Sequence, residues 1–152
     1  MPIASPERRL FPDDAAIRRI GEGLLDCTLP KSDWTHEAHI AATCWPLRDR
    51  PDVNVDAEIA TIIRRYNEAT GGVNDDSSGY HATITRSFIA GIRSHLALMA
   101  SETSLTKTVN TVLLRPEGQR DWPLRFYSRE RLFSVAARRD FVAPDLAPLP
   151  GA

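Results

Sequence analysis

Along this chain, apolar residues return every three or four positions, and the stripes they form are separated by short polar stretches rich in proline, glycine and aspartate. That period is helical, and no stretch shows the two-residue alternation of a half-buried strand. Ile17, Ile20, Leu24 and Cys27 make the first stripe, behind Asp13 and Asp14, which suit a helix start. Thr28, Leu29 and Pro30 end it, and Gly21 and Gly23 weaken it by up to ~1 kcal/mol each relative to alanine. The second helix opens at Ser32 or Thr35 and carries two stripes. His36, Ile40, Thr43 and Leu47 form one; Ala38, Ala41, Ala42 and Trp45 form the other. A helix apolar around most of its circumference belongs at the centre of a fold. Pro46 lacks a backbone donor and clashes one turn back, so this helix is expected to end or kink near Trp45.

A third helix starts at Asn54 or Asp56, turns Val55, Ile59, Ile62, Ile63 and Tyr66 inward, and stops at Gly71 and Gly72. The fourth is expected to be the longest, over about residues 78–100, with Ile84, Phe88, Ile92, Leu96 and Met99 on one face. The fifth covers about residues 104–114 with Leu105, Val109, Val112 and Leu113 inside. After a turn and loop at 115–123, Ser128 can cap a last helix reaching about Arg138 and burying Leu132, Phe133 and Val135. The pattern predicts an all-α fold of five to six helices packed as a compact bundle. One domain would span residues 13–140, between an N-terminal arm at 1–12 and a proline-rich C-terminal tail at 141–152.

Composition narrows the partners. Lys and Arg number 19 against 20 Asp and Glu, a net charge of -1. Nucleic acid is therefore not expected, because phosphate binding needs a basic excess. Arg129, Arg131, Arg138 and Arg139 could make a local basic patch or simply a solvated helix face. The two cysteines, Cys27 and Cys44, form no Cys-x-x-Cys pair and are expected as free thiols in a reducing cytoplasm. No apolar run approaches the ~18 residues of a membrane span, and the first residues do not resemble a signal peptide. A cytoplasmic protein without a membrane partner is the expectation. The loop at 71–79 is glycine-rich, but it is acidic and has no lysine, which argues against a phosphate loop.

The chemistry concentrates in the four histidines. His36 and His39 lie three apart, so on a helix they differ by about 60° around the axis and ~4.5 Å along it. His81 opens the fourth helix as His36 opens the second. If those helix starts are neighbours, three imidazoles can converge on a divalent transition metal, zinc, iron or nickel. Asp75, Asp76 or Glu37 could add an oxygen ligand. Thr43 and Thr85, one turn further along, could hold the non-ligating ring nitrogens, although a threonine more often bonds its own helix carbonyl. A helix N-terminus disfavours added positive charge, so the same position suits a neutral histidine or an anion held with Arg86 or Arg18. His95 lies ~21 Å along the helix from His81 and is expected at the surface or its boundary.

The stretches Trp-Thr-His-Glu-Ala-His-Ile (34–40) and Gly-Tyr-His-Ala-Thr-Ile-Thr (79–85), followed by 126–134, resemble a group of small bacterial helical proteins of unassigned function. The resemblance covers most of residues 30–140 and favours His36, His39 and His81 without bringing a mechanism. The first reading is thus a metal or small-molecule pocket formed by these histidines, rimmed by Tyr80, Thr85, Arg86, Tyr127 and Arg131. The second is a non-enzymatic module, a homodimer, with structural histidines and a partner-facing patch at Trp122, Phe126, Tyr127 and Phe141.

Overall fold

The computed structural model describes residues 10–151; the first nine residues of the expected arm lie outside the described residues. Five helices of ten residues or more carry the fold: α1 (Asp14–Leu25), α2 (His36–Asp49), α3 (Val55–Ala69), α4 (Ala82–Leu96) and α5 (Leu105–Leu114). Two short helices follow, α6 (Arg129–Leu132) and α7 (Val135–Arg139), and single 3-10 turns occur at Lys31–Asp33, Pro116–Gly118 and Trp122–Arg125. No strand occurs among the described residues. The fold is all-α.

The helix starts follow local chemistry. Asp13, Thr35, Asn54, Ser104 and Ser128 each accept a backbone N–H two or three residues into the helix they cap. Three expectations change. α2 runs through Pro46 to Asp49. Its last turn carries buried Trp45 and Pro46, so tertiary packing outweighs the lost hydrogen bond. α4 begins at Ala82 and ends at Leu96, the same 15 residues long as α3, because His81 is its cap and residues before it form the loop. The last helix is two pieces, since Ser134 caps α7 afresh by accepting the Ala137 N–H. The break turns Phe133 and Val135 outward, 58% and 45% exposed, while Leu132 stays buried.

α2 sits at the centre and packs on α1, α3, α4 and α5. Its faces serve two cores, divided differently from the expected stripes, because Ala41 and Trp45 fall with Ile40. Ile40, Cys44 and Trp45 join Ile17, Ile92 and Val109; Ala38 and Ala42 join Ile20, Leu24, Ile62 and Tyr66. Gly21 has a packing reason: a Cβ there would come within 2.2 Å of the Trp45 ring. α1 thus accepts poor helix propensity so that α2 can approach. Both cysteines are free, Cys44 fully buried with its thiol pushed up to about 12 by burial, Cys27 half-buried at φ 62°.

A third core forms where no helical period exists. Trp122, Phe126 and Tyr127 are buried with Leu132 and Leu149. Of the expected partner-facing patch, only Phe141 is exposed. The tail passes over this core, held by Leu146 N–H to the Phe126 carbonyl (2.9 Å) and by the Tyr127 hydroxyl to the Val142 carbonyl (2.6 Å). No helix among the described residues is long and apolar enough to cross a membrane.

Candidate functional site

The starts of α2 and α4 line one cavity of about 510 Å³. Its walls are chiefly apolar. Leu24, Ile40, Ile59, Ile63, Ile84 and Phe88 supply aliphatic and aromatic surface from α1 to α4. Trp34, from the segment before α2, and Tyr80, just before α4, add aromatic faces. His36, His39 and His81 all reach the lining, so the structure does bring the three histidines to one cavity.

The three imidazoles are not equivalent. His81 uses both ring nitrogens for the frame. Its Nδ1 accepts the Ile84 N–H at 3.1 Å, which caps α4, and its Nε2 lies 2.9 Å from the Leu132 carbonyl. A carbonyl only accepts, so Nε2 donates and the tautomer is fixed. Burial, with Arg138 nearby, holds its pKa below the usual imidazole range. His36 likewise donates from Nε2 to the Gly118 carbonyl at 2.7 Å, and its Nδ1 remains an acceptor without a partner among the described residues. Its ring stands edge-on to Phe88 at 5.6 Å.

The His39 ring makes no hydrogen bond to any described residue; only its backbone does, to the Thr35 carbonyl and from the Thr43 hydroxyl. It is fixed by Trp34, whose ring lies 3.8 Å away at 81°. Trp34 in turn meets Tyr66, whose hydroxyl donates to the Leu29 carbonyl at 2.8 Å. Protein surrounds His39, and that burial, with the positive fields of His36 and Arg120, pushes its pKa down to about 4. By accessible area, however, the same side chain is exposed. The cavity reconciles the two: water reaches the ring through the opening although protein encloses it. Hydration tempers the size of the shift, and its direction stands. His39 is neutral at physiological pH.

Two cations complete the lining, Arg120 and Arg138. Arg138 donates to the Gly79 carbonyl at 3.0 Å. Arg120 makes no hydrogen bond or ion pair with a described residue. The sequence did not single out Arg120, and it treated Arg138 as part of a surface patch. The Pro116–Gly118 turn brings Arg120 in, because its Gly118 carbonyl binds His36, a contact spanning 82 positions of sequence with no local signature.

The other expected site residues divide. Tyr80 and Thr85 line the cavity. Thr43 lines it too but donates to the carbonyl of His39, one turn back in its own helix, at 2.8 Å. Neither threonine holds a histidine nitrogen. Arg86, Tyr127 and Arg131 do not line the cavity. Arg86 lies over the Phe141 ring at 5.5 Å, Tyr127 is fully buried in the third core, and Arg131 donates to the Ala143 carbonyl at 2.6 Å. His95 is buried at 6% exposure, not at the surface, and its Nε2 has no partner among the described residues.

For a metal, the nitrogens without a bond are the Nδ1 of His36 and both nitrogens of His39. His81 could join only by giving up its cap or its carbonyl. Asp75 is held by the N–H groups of Ser77 and Ser78, and Asp76 is paired with Arg139 at 2.6 Å. Among the described residues no group of three or more His, Cys, Asp and Glu side chains is placed to hold a metal ion. In the observed arrangement the nitrogens open to a metal are those of His36 and His39, because both His81 nitrogens are bonded in the frame. Comparison with known proteins finds no matching family model, no matching curated protein and no matching solved structure.

Proposed function

We propose that this protein binds a small, mostly apolar organic molecule in the cavity, with His39 as the polar contact that orients it. One observation carries the reading: the His39 ring, with no hydrogen bond to a described residue, stands in the wall of a chiefly apolar cavity of about 510 Å³. Sites for small molecules combine apolar walls of this size with a few convergent polar groups. The Nδ1 of His36 offers an acceptor at the same end of α2. The neutral His39 ring can accept a proton or share one with a ligand, which is what a binding or acid–base role requires.

The test uses a neutral apolar fluorophore, N-phenyl-1-naphthylamine. It should brighten on binding at one site per chain, both with and without EDTA. Ile63→Trp, which fills the cavity from α3, should abolish the signal while the circular dichroism spectrum is kept. A probe that binds Ile63→Trp as well as the native chain would place binding elsewhere and defeat the reading. Binding that disappears with EDTA and returns with zinc, iron or nickel would restore the metal reading in its place.

A further inference from the structure

The charges around the cavity do not balance. Arg120 and Arg138 both line it, and no Asp or Glu does. The acidic groups of the neighbouring loop are already matched. Asp75 accepts from Ser77 and Ser78, and Asp76 takes both hydrogen bonds of a paired Arg139. Arg138, the residue before it in α7, reaches only the neutral carbonyl of Gly79. Arg120 reaches no described carboxylate at all. Asp140 acts on Tyr80 from outside the lining, where Arg64 and Arg86 act with the opposite sign.

The backbone adds the same sign. His36 and His39 lie in the first turn of α2, where Glu37 offsets part of the positive end without lining the cavity, and His81 caps α4, which has no acidic residue in its first turn. Two helix starts therefore turn their positive ends towards the cavity. Each alone would be weak. Together with two arginines without carboxylate partners they give the cavity lining one electrostatic sign.

We infer that the ligand of this cavity is a hydrophobic organic acid: an apolar ring or chain held by the aliphatic and aromatic walls, with one carboxylate directed to Arg120. This rests on the ligand-binding reading above and names its chemical class. Arg120 is exposed and otherwise unbonded, so it is free to turn to the carboxylate as a bidentate donor. A neutral His39, beside it, can donate one N–H to the second face of the same group. A cationic ligand would meet two arginines and two helix N-termini, and a large polyanion would meet mostly apolar walls.

A charge series on one apolar body tests this. 2-Naphthoate, 2-naphthylmethanol and 2-naphthylmethylamine share a ring and differ in sign at pH 7.5. In displacement of N-phenyl-1-naphthylamine, naphthoate should bind at least tenfold more tightly than the alcohol, and the amine most weakly. Arg120→Gln should bring naphthoate to within about threefold of the alcohol and leave the alcohol unchanged. Arg129→Gln, which removes an exposed charge outside the cavity, should leave the whole series as it is. Equal displacement by all three compounds, or preference for the amine, would overturn the inference while leaving the cavity's ligand-binding role intact. If the neutral probe itself does not bind, direct calorimetric titration of naphthoate decides: binding lost in Arg120→Gln supports the acid, and no binding rejects it.

Discussion

Two helix starts share the cavity, and each carries histidine, but they use it in opposite ways. α4 has no serine, threonine, aspartate or asparagine at its cap position, so the His81 Nδ1 accepts the Ile84 N–H and the ring becomes part of the frame. α2 has Thr35, whose hydroxyl accepts the Ala38 N–H, and its histidines are released from that duty. His39 then keeps both nitrogens for the cavity. A histidine near a helix start thus becomes structural or available according to what its neighbour can cap.

The sharpest test of that contrast is His81→Ala. It removes a cap and leaves the Leu132 carbonyl without its donor, so stability should fall by roughly 2–3 kcal/mol in urea unfolding. A loss below about 0.5 kcal/mol would mean that His81 is not part of the frame. Gly118→Ala probes the other wall. A Cβ there would meet the Val112 carbonyl oxygen at 2.2 Å, so the turn must shift, at a cost of about 1–3 kcal/mol. Probe affinity should fall with it, because the same turn holds His36 and presents Arg120.

His95 is a third case, buried with an unpartnered Nε2 and belonging to neither wall. His95→Leu removes that polar atom from the interior and should raise stability by about 1 kcal/mol, an unusual sign for a buried substitution. The pH dependence follows the same logic. Burial lowers the folded-state pKa of His39, His81 and His95, the last also facing Arg115 and Glu117. The unfolded chain therefore takes up protons first as pH falls. Stability should be full above pH ~6.5 and decline as pH drops below it towards about 4. The slope should be shallower in His95→Leu. The smallest stability effect is expected for His39→Ala, within ~0.5 kcal/mol because no hydrogen bond is lost, while probe and naphthoate affinity should fall about tenfold. Equal losses of stability in His39→Ala and His81→Ala would erase the distinction between the two helix starts.

The regular part of this fold was legible because its signals are local. Stripes at helical spacing fixed five helices, and Asp13, Thr35, Asn54, Ser104 and Ser128 all cap as their side chains suggest. Histidine is an uncommon cap, so the start of α4 was misplaced by about four residues. Ser134 restarts a helix within a run that looked continuous. The third core was missed because Trp122, Phe126 and Tyr127 lie in turns, where burial leaves no period. His36, His39 and His81 were legible as candidates, and so were Tyr80 and Thr85. Their differing availability was not, since it depends on the carbonyls of Leu132 and Gly118, 51 and 82 positions away. Arg120 was invisible for the same reason.

The bond from His36 to the Gly118 carbonyl has a consequence for how this chain can change over generations. Position 118 admits only glycine without displacing the end of α5, and His36 ties the turn to α2 while the Gln119 side chain ties it to the end of α5. The dependence runs one way: a larger residue at 118 shifts the carbonyl that His36 needs, whereas loss of His36 leaves the clash with the Val112 carbonyl in place. Among descendants of a common ancestor, Gly118 should therefore outlast His36, and His36 should not outlast Gly118.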